Sequence, residues 1–240
     1  MKINQNLIIS EPASNITYYG GNQEWFPRNT QAQAGCGPVA GANVFLALCG
    51  KHPSCIRFSR QKDAVLALME DVYHSMHTIE VPFLNCIYDH LKRGHVFFKY
   101  IPASYGRGIL GFTYGVLRHG KKLGMKLHPH VLPTLFCTRR RGLRFILDGL
   151  AKGGSVVLLT SHNRHPLTLY QSNTALKSPY PAKNGMKCHF VTITNAIKKG
   201  DSVTLVVSTW GRIATIDYNA LAKSWKTPLA LTSCLFYFTM

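Results

Sequence analysis

The sequence predicts an α+β domain, in which a helical first half packs on an antiparallel β-sheet built by the second half. Three observations carry this expectation. Apolar residues recur at three- and four-residue spacing between Arg60 and Arg93 and again over about 107–123. The run after Pro38 is apolar on every side, which is the pattern of a helix buried at the centre of a domain. From Ser155 onward, short β-branched runs alternate with polar turns.

Residues 1–30 read as an irregular or strand-bearing arm, with Ile16–Tyr19 and the Trp25-Phe26-Pro27 cluster expected to pack on the body. A helix follows over about 39–49. Pro38, lacking an N–H and fixed in φ, suits its first turn, and Gly50 suits the residue just past its end. Its apolar residues surround a single polar one, Asn43. The segment from about 55 to 140 is expected to be helical. Val65, Leu66, Leu68, Met69, Val72, Tyr73 and Met76 mark one helix, Phe83, Ile87 and Leu91 continue the pattern after Pro82, and Ile109, Leu110, Phe112, Val116 and Leu117 mark the inner side of another. Leu143–Ala151 is a short helix ended by Gly153-Gly154, and Ser155–Thr160 is a buried strand. Residues 161–187 form a long polar loop. His189–Thr194 and Val203–Ser208 are strands around a turn, with further strands at Ile213–Tyr218 and Leu229–Thr239.

Composition limits the function classes. Apolar residues make up 46% of the chain and charged residues 16%, which is globular rather than disordered. A length of 240 residues suffices for a sizeable core in a single domain, 1–240. No apolar run reaches the length of a membrane helix and the first residues lack the apolar centre of a signal peptide, so a cytoplasmic protein without a membrane span is expected. Seven cysteines, an odd and scattered set, point to reduced thiols. The histidine pairs His74/His77, His128/His130 and His162/His165 form no four-ligand set of known spacing, so neither a metal nor another cofactor is expected.

The net charge of +18, from 28 Lys and Arg against 10 Asp and Glu, produces a long-range field that attracts nucleic acid, anionic polymers or acidic proteins. Arg139-Arg140-Arg141, Lys121-Lys122 and Lys198-Lys199 concentrate it. No zinc finger, helix-turn-helix or RNP-type motif accompanies them, so the attraction is expected to be non-specific.

Chemistry points to Cys36. A thiol at a helix N-terminus meets unpaired N–H groups and the positive end of the helix dipole, which favour the thiolate. Gly35 and Gly37 leave room for a sharp turn and an approaching carbonyl. If 189–194 and 203–208 pair as a hairpin centred near Lys198 and Lys199, His189 falls opposite about Ser208 to Trp210. Nucleophile, base and orienting group then share one cleft. Each residue also admits a structural role: Gly-Cys-Gly-Pro as an ordinary turn before a core helix, His189 as a strand histidine.

Gly35-Cys36-Gly37-Pro38-Val39-Ala40, His189-Phe190-Val191-Thr192-Ile193 and Trp210-Gly211, with FILDGLAKGGSVVLL between them, resemble the papain-like cysteine peptidases, and more closely their peptidase C39-like branch. The resemblance spans about 31–221, with 55–140 unaligned by any motif. It implies a papain-like fold and a cysteine peptidase, or related amide-bond hydrolase, acting on a peptide or protein. In that reading the Cys36 thiolate attacks a carbonyl, His189 is the acid and base, Ser208 orients His189, and Trp210 with Gly211 shields the contact. Gln31, five residues before the cysteine, is expected to stabilise the oxyanion in preference to Gln33. Ser208 departs from the acid or amide of such families and stabilises an imidazolium less well; Asp217, Asp201 or Asn195 could take its place. The loop 161–187 is the expected substrate-facing element. The alternative function is a scaffold with weak or no catalysis that binds a peptide or an anionic partner, nucleic acid or an acidic polymer, in the same cleft.

Overall fold

The computed structural model describes residues 3–52, 58–76, 108–160, 170–171, 189–225 and 233–240. They form a mixed α+β architecture whose strand pairs are all antiparallel. The arm makes a hairpin of β1 (Ile8–Glu11) and β2 (Ile16–Tyr19). Its inner residues, Leu7, Ile9 and Tyr19, are buried, whereas Ile16 is exposed. Lys62 clamps the hairpin to the body by pairing with Glu11 and lying over the Trp25 ring.

A short helix, α1 (Asn29–Ala34), then leads almost directly into α2 (Cys36–Lys51). The arm therefore ends earlier, and α2 begins earlier and ends later, than the sequence suggests. Gly50 lies inside α2 because the Asn6 side chain packs on the spot a Cβ would fill. As expected, α2 is buried nearly all round. Against it pack α3 (Lys62–Ser75) and α4 (Ile109–Lys122). Val65, Leu68, Met69, Val72 and Met76 are buried as the spacing predicts, and so are Phe112 and Val116. Leu110 is 84% exposed, a correction. At 100° per residue it falls well round the helix from Phe112, Val116 and His119, which define the inner face. The expected continuation through Phe83, Ile87 and Leu91 lies outside the described residues.

Among the described residues the main sheet holds seven strands in the order β3-β9-β4-β6-β7-β8-β5: β3 (His128–Pro133), β4 (Val156–Thr160), β5 (Tyr170–Gln171), β6 (His189–Lys199), β7 (Ser202–Thr209), β8 (Arg212–Asp217) and β9 (Cys234–Thr239). β3 corrects the expectation of an all-helical 55–140 segment. Pro129 and Pro133 argue against a strand, but β3 is an edge strand, where a missing N–H costs no ladder bond. β5 likewise gives structure to part of the polar stretch 161–187, the rest of which lies outside the described residues. β6 runs on to Lys199, and the turn is confined to Gly200-Asp201 instead of the whole NAIKKGDS segment.

The sheet separates two cores. On one face α2, α3, α4 and the arm enclose Phe112, which stacks on Phe190 at 4.9 Å and packs against Phe236 and Phe238. On the other lie α5 (Arg139–Gly153) and α6 (Tyr218–Ser224) with Val191, Ile193, Leu205 and Val207. α6 occupies a stretch whose start the sequence assigns to a strand; Asp217 caps it by accepting the Asn219 N–H. α5 starts at the arginine run and stops where Gly154 adopts φ +77°. Three arginines in its first turn oppose the helix dipole, which leaves the Thr138 cap, accepting the Arg141 N–H at 3.2 Å, as the stabilising group there. Thr138→Ala is expected to lower stability by about 1 kcal/mol; an unchanged midpoint in urea unfolding would contradict this.

Among the described residues no helix is long and apolar enough to cross a membrane. Cys49, in the last turn of α2, is disulfide-bonded. This corrects the expectation of reduced thiols throughout, because scattered spacing in sequence does not keep the fold from bringing two cysteines together. Burial raises the Cys137 thiol above its ordinary value and pushes Cys234 up to about 12.

Candidate active site

Cys36 is the first residue of α2 and is half-buried. The helix start has no side-chain cap. Gly35 precedes it as a close-packing position, since a Cβ there would press on the Phe26 ring and the Gln31 carbonyl at 2.6–2.8 Å. Gly37 differs from the expectation of a turn residue: it lies inside α2, and an added Cβ would make ordinary contact with Phe190 at 3.6 Å.

One cavity gathers Cys36, Val39, Ala40 and Asn43 from α2, His189, Phe190 and Thr192 from β6, Ser208, Thr209 and Trp210 from β7 and its turn, and Gln23 from the arm. The four α2 residues follow i, i+3, i+4, i+7 and so form one stripe of the helix. The space among these groups is about 10 Å³, close to that of one water molecule. Cys36 and His189 thus meet at one place, with Trp210 beside them. Gln31 does not line the cavity; it is buried in α1 with its Oε1 lacking a hydrogen-bond partner among the described residues. The glutamine at the cavity is Gln23, beside the Asn43 amide, which is bonded to Gly21, Thr192 and Ser208. Spacing from the cysteine misleads here because α1 intervenes.

His189 Nε2 lies 2.9 Å from Thr209 Oγ1, and the ring stacks on Trp210 at 4.3 Å. Ser208, expected as the orienting group, instead donates to the Tyr19 carbonyl at 2.7 Å and accepts from Asn43 Nδ2 at 3.3 Å. The reason is a bulge in β6. Asn195 pairs with Val206, but beyond the bulge Thr192 pairs with Ser208, a shift of one residue. A one-residue shift exchanges the faces of a strand. Without it His189 would share a face with Ser208; with it, His189 falls into phase with Thr209. Asp217, Asp201 and Asn195 are engaged away from the imidazole: Asp217 caps α6, the Asp201 carbonyl accepts from Arg139, and Asn195 accepts the Ala196 N–H.

Trp210 and Gly211 are the central residues of the two-residue turn joining β7 and β8, with φ of 48° and 71°. Positive φ at both positions is the mark of a type I′ turn. Glycine adopts it freely, whereas a tryptophan there is strained. In this turn the indole lies flat against His189, with the ring planes 13° apart. The arm seals the turn through Tyr19 N–H to the Gly211 carbonyl at 2.8 Å and Gly211 N–H to the Gly21 carbonyl at 3.0 Å.

Burial pushes His189 down to about 4, so its imidazole is neutral at pH 7. The expected imidazolium partner for a thiolate is therefore not the resting state. The described lining residues include no carboxylate that would favour it.

No family model and no curated protein matches the chain. The functional reading therefore rests on the chemistry of the site. Among the described residues no three His, Cys, Asp or Glu side chains are gathered as a metal site. Cys188, expected from strand alternation to face away from His189, lies outside them.

Proposed function

We propose that the chain is a cysteine-dependent amide-bond hydrolase, in the manner of a papain-like peptidase, acting on a peptide or protein. The observation that supports this reading is the shared cavity of Cys36 and His189, with Thr209 and Trp210 fixing the imidazole. With the ring proton on Nε2 and donated to Thr209, Nδ1 carries the lone pair. As Cys36 sulfur attacks the carbonyl carbon, its proton passes to Nδ1 and the C=O pair moves to oxygen. The backbone N–H of Cys36 and the Gln23 amide are the groups for that oxyanion. Collapse breaks the C–N bond while Nδ1 returns its proton to the leaving nitrogen. Water then attacks the thioester, gives a proton to Nδ1, and releases the acid and the thiol. Because the imidazole starts neutral, Nδ1 is free to accept the thiol proton as the sulfur attacks.

A thiol-directed peptidyl probe at pH 7, followed by peptide mass spectrometry, tests the reading. Modification confined to Cys36 is the expected result. Equal modification of the other thiols, or none until the protein is unfolded, would overturn it.

A second reading, a scaffold that binds a polyanion, is favoured by one observation. Arg139 donates to the Asp201 carbonyl at 2.9 Å, which draws the Arg139–Arg141 and Lys198-Lys199 runs to one corner. These side chains are exposed and, among the described residues, none is ion-paired. If all five contact phosphates, affinity for a single-stranded oligonucleotide should fall by roughly a hundredfold between about 50 and 200 mM salt. Affinity that is flat with salt would remove this reading.

A further inference from the structure

We infer that Asn43 is a positioning residue that sets the separation of Cys36 and His189. The inference rests on the acyl-transfer reading above. Asn43 is the one polar side chain in the buried stretch Gly37–Cys49 of α2, at 1% exposure. Its amide is fully engaged. Nδ2 donates to Thr192 Oγ1 at 3.2 Å and to Ser208 Oγ at 3.3 Å, and Oδ1 accepts the Gly21 N–H at 3.0 Å.

The direction of each bond is fixed by its neighbours. Gly21 N–H can only donate, so the oxygen of the amide must face it and the NH2 must face the strands. Ser208 spends its proton on the Tyr19 carbonyl and is left as an acceptor for Asn43. A donor chain thus runs from α2 through β7 to the arm. Gly20, at φ +74°, passes so close that a Cβ would meet Asn43 at 2.8 Å.

The positions matter more than the number of bonds. Asn43 shares the cavity-facing stripe of α2 with Cys36. Thr192 is three residues from His189 on β6, and Ser208 adjoins Thr209, which meets the imidazole. One amide therefore locks the helix bearing the nucleophile to both strands bearing the base and its partner. Apolar burial is non-directional, whereas these bonds fix both a distance and a direction.

The test compares wild type with Asn43→Ala, Thr192→Val and Ser208→Ala. Iodoacetamide alkylation of Cys36 is followed across pH 5–9, with Cys137 as internal reference, since global loosening accelerates both thiols. In the variants the Cys36:Cys137 rate ratio is expected to fall at least tenfold for Asn43→Ala, and in the same direction for the other two, with a moved pH midpoint. Ratios within twofold of wild type and an unmoved midpoint would overturn the inference. Thr192→Val keeps the side-chain shape and decides the matter if Asn43→Ala does not fold. If wild-type Cys36 shows no excess over Cys137, the hydrolase reading fails by itself. The positioning role is then judged on the His189 imidazole NMR signals, which must shift in Asn43→Ala and Thr192→Val, and which overturn it if they do not.

Discussion

On the proposed hydrolase reading, replacing Cys36 with alanine is expected to reduce peptide hydrolysis at least about a thousandfold, because loss of a nucleophile leaves only binding and oxyanion stabilisation. The fold should barely register the change. Cys36 is half-buried at the start of α2, so removing one sulfur opens no enclosed cavity, and a cost below about 1 kcal/mol is expected. Turnover should therefore vanish while the urea midpoint stays in place. Retained turnover would take Cys36 out of the mechanism, whereas a collapsed midpoint would recast it as a packing residue.

Acid is expected to destabilise the protein before its carboxylates titrate. His189 is held neutral by burial, down to about 4, and burial lowers His119 in the same direction. Above pH of about 6.5 the imidazole is neutral whether the chain is folded or not, and stability is independent of it. Below that value the unfolded chain takes up a proton that the folded chain refuses. Stability then falls by about 1.4 kcal/mol per pH unit for His189 alone, reaching about 3 kcal/mol near pH 4. Urea unfolding at pH 7, 6, 5 and 4 measures the slope, and His189→Gln should lower it. A flat profile from pH 7 to 5 would show that His189 titrates normally. Glu11, held at about 2 by its Lys62 partner, acts in the same sense but only below its own ordinary range, so the two contributions separate.

The halves of the site differ in how far the sequence reveals them. Pro38 followed by an apolar run broken only by Asn43 is a local signal, and it places Cys36 at the start of a buried helix, where the structure has it. The partner of His189 depends on a bulge between Ile193 and Asn195, for which a run of threonine and isoleucine carries no mark. β3 is hidden by its own prolines, whose tolerance follows from edge position, a property of the assembled sheet. Gly50 looks like a helix stop until Asn6, distant in the chain, supplies another reason for the missing side chain. Gln23 enters the cavity because the arm folds back over the β7–β8 turn, and sequence spacing is silent on that. Asn43 also has a visible signal: a lone amide within a buried apolar stretch needs partners.

The bonds that close the site join distant parts of the chain. Asn43 reaches Ser208 across a separation of 165 residues, and Ser208 reaches Tyr19 across 189. Such contacts form late, since the long loops they close must lose entropy before the contacts return any stability. On the ribosome the helix with the thiol emerges well before the strands that hold it in register. On the proposed reading, a nascent chain carries its nucleophile for most of its synthesis without the means to aim it, and competence arrives only when the last hairpin docks.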